Sequence, residues 1–299
     1  MKVLITGGAG YAGNALVQQL ISNKDVEEIR IFDNLSKGKH VLLQQVVKSS
    51  KIQFIEGDIL DNYKLSKSLQ DIDTAVHLAT VKQPERFHHY MEQVNHWGTA
   101  NLINLMEEHS VKRFIFLSST EVYGQSNKEI NLSNEIMPET PYAHSMFRAE
   151  KYVKTLENKC EVAIVRIPDI YGYNPAMDFS YGLNKRIFDA KYNALLQLDA
   201  DGLHKQSAVH VNDLAQLICY LSLTTPEQSI YLANSEHWDG MGIYESLKSF
   251  YPNLEATFTS HHLRLQDNII ESDETTQKII KTKTSLTTGI EELLSNLNY

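Results

Sequence analysis

Short apolar runs alternate with stretches of helical spacing through residue 168. Residues 2–6, Lys-Val-Leu-Ile-Thr, form a run closed by glycines, the mark of a short buried strand. Leu16, Val17, Leu20 and Ile21 then share one face of a helix. Runs at 28–33, 52–55, 75–79, 114–117 and 162–167 predict five more strands, with helices between them, notably over 94–108 and 142–156. Strands alternating with helices need crossover connections, so the pattern predicts an α/β fold with a doubly wound parallel sheet. Beyond residue 168 the rhythm loosens. Residues 181–190, 213–221 and 285–297 read as helices, 194–198 and 230–233 as short strands, and the polar run 271–283 as a loop plus helix. The expected division is a main domain over 1–168 and a smaller C-terminal α/β lobe over 169–299, with some exchange of strands between them.

Composition narrows the partners. The 299 residues are 42% hydrophobic and 22% charged, with a formal net charge of −9. Nucleic-acid binding leaves a basic stripe, and none is visible, so no nucleic-acid partner is expected. A local basic pocket for a small phosphate ligand stays open. The two cysteines, Cys160 and Cys219, exclude a disulfide framework and carry no metal-ligand spacing, so no metal is expected. The opening apolar run is too short for a signal peptide, and no stretch approaches the ~20 apolar residues of a membrane span. The expected location is the cytoplasm, with no membrane partner.

The first chemistry lies between the first strand and the first helix, where Gly7, Gly10 and Gly13 have the spacing G-x-x-G-x-x-G. A turn there requires a residue that tolerates positive φ, and a diphosphate must approach bare backbone. The helix N-terminus then offers free N–H groups and partial positive charge. The strand–glycine–helix context makes this a dinucleotide site in a Rossmann fold. Asp33 ends the second strand, placed to accept from the adenosine ribose hydroxyls and to repel a 2′-phosphate, which favours NAD over NADP. Lys37 and Lys39 keep NADP open as a lesser alternative. Asp58 either accepts from the adenine amino group or caps the turn that follows it.

Further segments carry a family resemblance along nearly the whole chain. They are Asp33-Asn34-Leu35-Ser36, Gly57-Asp58-Ile59, His77-Leu78-Ala79, Asn95-x-x-Gly98-Thr99-x-Asn101 and Ser118-Ser119-Thr120-Glu121-Val122-Tyr123-Gly124. Pro141-Tyr142, Arg166 to Gly172, Val209-His210-Val211-Asn212-Asp213 and Arg264-x-x-Asp267 follow in order. The chain resembles the extended short-chain dehydrogenase/reductases, specifically the NAD-dependent nucleotide-sugar epimerases and dehydratases. The resemblance implies tightly held, recycled NAD and a nucleotide-diphosphate sugar oxidised at its C4 hydroxyl. It implies Tyr142 as the base, Ser119 as a hydrogen-bond partner of the same oxygen, and Glu121 as a group working on the ring. Cofactor contacts are implied for Gly7, Gly10, Tyr11, Ala12 and Gly13, for Asp33, Asn34 and Ser36, and for Asp58 and Ile59. Leu78, Ala79, Thr80 and Lys82 follow, then Asn95, Ser118 and Pro168. Substrate contacts are implied for Thr120, Asp169, Lys205, Gln206, Arg264 and Asp267. The family commonly dimerises through the helices at 94–108 and 142–156. Phe147, Tyr152 and Val153 suit that seam or packing on the sheet equally.

Four departures bear on the chemistry. The residue four after Tyr142 is Met146, where the family has a lysine that lowers the tyrosine pKa, and a thioether supplies neither charge nor donor. The cationic nicotinamide and Lys82 are candidate substitutes, although Lys82 reads more simply as a surface or phosphate contact. Gln206 stands where a diphosphate-gripping arginine is usual, leaving Lys205, His204 or Arg264 for that task. Asp169 replaces the usual asparagine. Thr120 precedes Glu121, which is closer to the family's decarboxylases than to its dehydratases. His77, His88, His89 and His96 read as packed or exposed side chains. The expected activity is epimerisation, dehydration, decarboxylation or net dehydrogenation of a nucleotide sugar. The alternatives are a non-catalytic NAD or nucleotide-sugar binder of the same fold, and a reductase of another small carbonyl.

Overall fold

The computed structural model describes residues 1–37, 49–126, 129–234, 236–260, 265–280 and 283–297. Seven parallel strands form its central sheet: β1 (Lys2–Thr6), β2 (Glu28–Asp33), β3 (Ile52–Glu56), β4 (Thr74–His77), β5 (Arg113–Ser119), β6 (Glu161–Ile167) and β10 (Ile230–Leu232). Their spatial order is β10-β6-β5-β4-β1-β2-β3. From β1 the chain lays β2 and β3 to one side, then returns to lay β4, β5 and β6 to the other. That reversal opens a crevice at the carboxyl ends of β1 and β4, where doubly wound sheets bind ligands.

Both faces of the sheet are covered, which explains near-continuous apolar strands in place of alternating ones. Val3 and Ile5 pack with Ile29, Ile31 and residues of α1 (Tyr11–Ile21) and α6 (Val211–Leu223). Leu4 and Phe32 point the other way, toward α2 (Asn62–Ser68), α3 (Gly98–His109) and α4 (Pro141–Lys154). Val153 on α4 packs inward in this second layer, whereas Phe147 and Tyr152 are half-buried at its margin.

The segment beyond residue 168 is woven into this frame. Its residues 230–232 supply β10, and α6 covers the α1 face. The rest builds two small sheets around a third apolar cluster. One joins β7 (Asp169–Tyr171), β9 (Gln206–His210) and β11 (Glu236–Trp238), and the other pairs β8 (Leu195–Asp199) with β12 (Glu255–Thr259). Helices α5 (Gly182–Asn193), α7 (Gly240–Phe250), α8 (Glu274–Ile279) and α9 (Leu286–Asn296) complete the chain. Strands β7, β9, β11 and β12 and helix α7 are absent from the sequence reading. No helix among the described residues is long and apolar enough to cross a membrane.

Candidate active site

The glycine loop is shaped by close approaches. Gly7 has φ +72°, and a Cβ there would stand 2.6 Å from the Ala79 nitrogen. At Gly13 a Cβ would lie 2.5 Å from the Gly7 carbonyl oxygen and 2.6 Å from the Gly8 Cα. These contacts fold the loop tightly onto the start of α1, whose N-cap is Gly10. Asp33 braces the loop from β2: its Oδ2 accepts from Ala9 N at 3.0 Å and its Oδ1 from Leu35 N at 2.7 Å. Burial pushes the Asp33 carboxyl up from its ordinary range, while those two N–H groups pull it back down. A recess of about 100 Å³ beside the loop is lined by Asp33, Asn34, Asp58, Ile59 and Ala79, among others. Asp58 accepts from both Asn34 Nδ2 (3.1 Å) and Leu60 N (3.0 Å), so it caps the turn as well as lining the recess. Lys39 lies outside the described residues.

The recess shares Gly7, Gly10, Ser36, Leu78 and Thr80 with a larger cleft of about 730 Å³. Tyr11, Ala12, Gly13, Lys82, Ser118, Ser119, Thr120, Glu121, Tyr142, Pro168, Asp169 and Gln206 also line that cleft. Tyr142 sits in the first turn of α4 because Thr140 caps the helix, accepting from Ala143 N at 3.1 Å, and Pro141 occupies its first position. Its phenol is pushed up to about 12, first by burial and then by Glu121, while Lys82 and a hydrogen bond with Thr80 act in the opposite direction. Ser119 ends β5 and accepts from Glu121 N at 3.2 Å. Glu121 accepts from Lys82 Nζ at 2.6 Å and from Thr140 Oγ1 at 3.4 Å. Asp169 Oδ1 lies 3.9 Å from Lys82 Nζ, and burial raises its carboxyl pKa.

Met146 and Asn95 act from behind the cleft, and Ser118, though in its lining, turns its hydroxyl away. Met146 is 1% exposed in the core below Tyr142, its Sδ 3.6 Å from Thr80 Oγ1. Asn95 lies in a π-helical stretch, Glu92–Trp97, and grips the loop after β4. Its Oδ1 accepts from Val81 N at 2.8 Å and its Nδ2 donates to Val81 O at 2.9 Å. Ser118 turns its hydroxyl inward to Glu150 at 2.6 Å. His77 is also structural: it bridges Thr6 and Thr99 at 2.6 Å and 2.9 Å, and burial lowers its pKa to about 3.

At the far end Gln206 lines the cleft beside His204, Ser207 and Asn268. The flanking Lys205 and Asp267 are exposed, and Asp267 Oδ1 accepts from Lys205 N at 2.7 Å in place of facing the cleft. Arg264 lies outside the described residues. The sequence reading missed the wall formed by residues 176–181. Tyr181, which that reading placed in a helix, is the extended N-cap of α5. The next residue is Gly182 at φ +69°, where a Cβ would stand 2.9 Å from Asp169 Oδ2. The aromatic and polar run Asp178-Phe179-Ser180-Tyr181 ahead of that glycine was the available signal.

Comparison with known proteins identifies the fold and the family. Over 224 residues, 72% of this chain, the sequence is 30% identical to dTDP-D-glucose 4,6-dehydratase of Mus musculus and spans 62% of that protein. It is 34% identical over 161 residues to UDP-glucose 4-epimerase of Halalkalibacterium halodurans, covering 50% of this chain and 45% of that one. The fold superposes on UDP-glucuronic acid 4-epimerase from Bacillus cereus, crystallised with UDP-glucuronic acid and NAD, with a TM-score of 0.85 at 22% identity, covering 99% of this chain and 100% of that one. The model of the NAD dependent epimerase/dehydratase family matches residues 3–232, and the chain belongs to that family.

Proposed function

We propose that this protein holds NAD tightly along the glycine loop and oxidises the C4 hydroxyl of a nucleotide-linked sugar in the adjoining cleft. The observation that carries the reading is that Tyr142, Ser119 and Glu121 line the same cleft as Gly7, Gly10 and Gly13. The loop suits the cofactor. A Cβ at Gly10 would meet only the Gly7 oxygen, at 3.2 Å, so the helix N-terminus presents open backbone to a diphosphate. Asp33 and Asn34 suit the adenosine ribose, with Ile59 and Asp58 around the base. Bound NAD+ supplies the electron-pair acceptor for the sugar carbon.

The chain's own residues manage the proton. Tyr142 takes it from the C4 hydroxyl, and Ser119 Oγ donates a hydrogen bond to the same oxygen. Glu121 is placed to act on the ring after oxidation, in epimerisation, dehydration or decarboxylation. The substrate diphosphate lies toward Gln206, with Thr120 and Asp169 in the same cleft and Arg264 a further candidate from the sequence, whereas Lys205 and Asp267 do not line the cleft. The active site is atypical in having Met146 where a lysine would serve Tyr142. The helices at 94–108 and 142–156 form the seam of a homodimer, for which half-buried Phe147 and Tyr152 are available.

A non-catalytic binder is the second reading, favoured by the uncharged Met146 beneath a phenol pushed up to about 12. Native mass spectrometry of the purified protein, then absorbance of reduced cofactor on adding a panel of nucleotide sugars, separates the two. Tyr142→Phe is expected to slow reduction by roughly 10²–10⁴-fold, the usual worth of a positioned base. Retained cofactor with no reduction by any sugar supports the binder, and a fully active Tyr142→Phe removes Tyr142 from the mechanism.

A further inference from the structure

Where the family resemblance implies a lysine, Met146 places a thioether in the core, yet the cleft does contain a cation beside the tyrosine. We infer that Lys82, reaching in from the loop after β4, is the positioning residue that stabilises ionised Tyr142 in place of the missing helix lysine. The inference rests on the reading of Tyr142 as the base. Lys82 Nζ lies 5.4 Å from the centroid of the Tyr142 ring and 4.9 Å from that of Tyr181. It is fixed by a 2.6 Å hydrogen bond to Glu121 and a 3.9 Å ion pair to Asp169. The loop beneath it is rigid, because both backbone polar groups of Val81 are held by Asn95, and Asn95 in turn donates to Ser145 on α4 at 2.9 Å. One turn of α4 therefore sets both the tyrosine and the loop that brings the cation.

The charge arrangement explains why this lysine matters. Tyr142 faces Glu121 from the turn after β5, Asp169 from β7, Tyr181 from the start of α5, and Lys82 and Thr80 from the loop after β4. Without Lys82 the phenol would confront the Glu121 and Asp169 carboxylates, each opposing its ionisation, with only Arg186 acting on Asp169. With Lys82 between them, part of that repulsion is offset, and a cation lies over the ring face. Met146 takes no part, since its buried sulfur meets the Thr80 hydroxyl at 3.6 Å and bears no charge.

The test follows Tyr142 itself. In protein labelled at tyrosine Cζ, the Tyr142 resonance, assigned with Tyr142→Phe, is titrated by NMR with NAD+ present and absent. Lys82→Met is expected to move its titration upward, out of the range reached by wild type, and Lys82→Arg to leave it near wild type. The rising limb of the pH profile for cofactor reduction moves with it. A Lys82→Met protein whose Tyr142 titrates as in wild type overturns the inference. If Lys82→Met does not fold, Lys82→Gln decides the matter: it too removes the charge, so the titration must rise, and an unchanged or lowered value overturns the assignment. Failure of the functional reading looks different, because wild type would then not retain NAD, whereas the Tyr142 titration in free protein still judges Lys82.

Discussion

Replacing Arg166 with methionine tests how the catalytic geometry is held. Arg166 lies on β6, directly opposite Ser118 of β5. Its partner Glu150 lies two turns beyond Tyr142 on α4. The Arg166 and Glu150 side chains are 3% and 1% exposed. The guanidinium donates to Glu150 Oε1 at 2.9 Å, to Oε2 at 2.6 Å and to the Tyr123 hydroxyl at 2.6 Å. Ser118 Oγ completes the network on Glu150 at 2.6 Å. Methionine fills much of the space but leaves a buried carboxylate with Ser118 as its remaining side-chain donor. Breaking a buried pair in this way costs about 3–5 kcal/mol, against nearly nothing when both partners are replaced by apolar groups. Urea unfolding should show Arg166→Met losing stability on that scale, and Arg166→Met with Glu150→Leu recovering most of it. A single-variant loss below about 1 kcal/mol, or a double variant costing the sum of the two singles, would refute the claim that an uncompensated charge drives the effect.

Two further outcomes follow from the same coordinates. Gly13→Ala places a methyl 2.5 Å from the Gly7 oxygen, which the backbone must relieve by moving, so NAD affinity measured calorimetrically should fall by at least about tenfold, or 1.4 kcal/mol. Unchanged affinity would mean that the loop does not cradle the diphosphate. His77 is lowered to about 3 by burial, from 6.5 when unfolded. Its contribution is therefore complete above pH 6.5 and is lost as pH falls toward 3, by about 1.4 kcal/mol per unit. Urea midpoints should decline across pH 6.5 to 4.5, and His77→Asn should flatten that limb; an equally steep decline in the variant would assign the acid lability to other groups.

The amino-acid order determined the frame of this protein with little help from anything distant. Residues 2–6 and 28–33 fall where the apolar runs placed them, and the first six strands of the sheet were all read within a few residues. A strand buried on both faces and a helix with one apolar face write their periods into contiguous residues, and the glycines between them must tolerate close backbone approach whatever the rest of the chain does. Asp33 was legible for the same reason, at the end of such a strand, whereas Ser119 and Tyr142 were named only through the family resemblance.

Tertiary structure decided what those residues confront. Strands of three residues, such as β7 and β11, are too short to show an alternation, and although 230–233 read as a strand, nothing local revealed that it pairs with β6 in the main sheet. Local pattern reports which face of an element is buried, not what buries it. It gave no sign that Asp267 would turn to Lys205 N, and for the wall at 176–181 it offered only the run Asp178–Tyr181 ahead of Gly182, not its place beside the cleft. Lys82 and Tyr142 are sixty residues apart, and only parallel pairing of β4 with β5, followed by the return of α4, brings the ammonium over the ring. Charge acts through space, and the fold alone sets that distance.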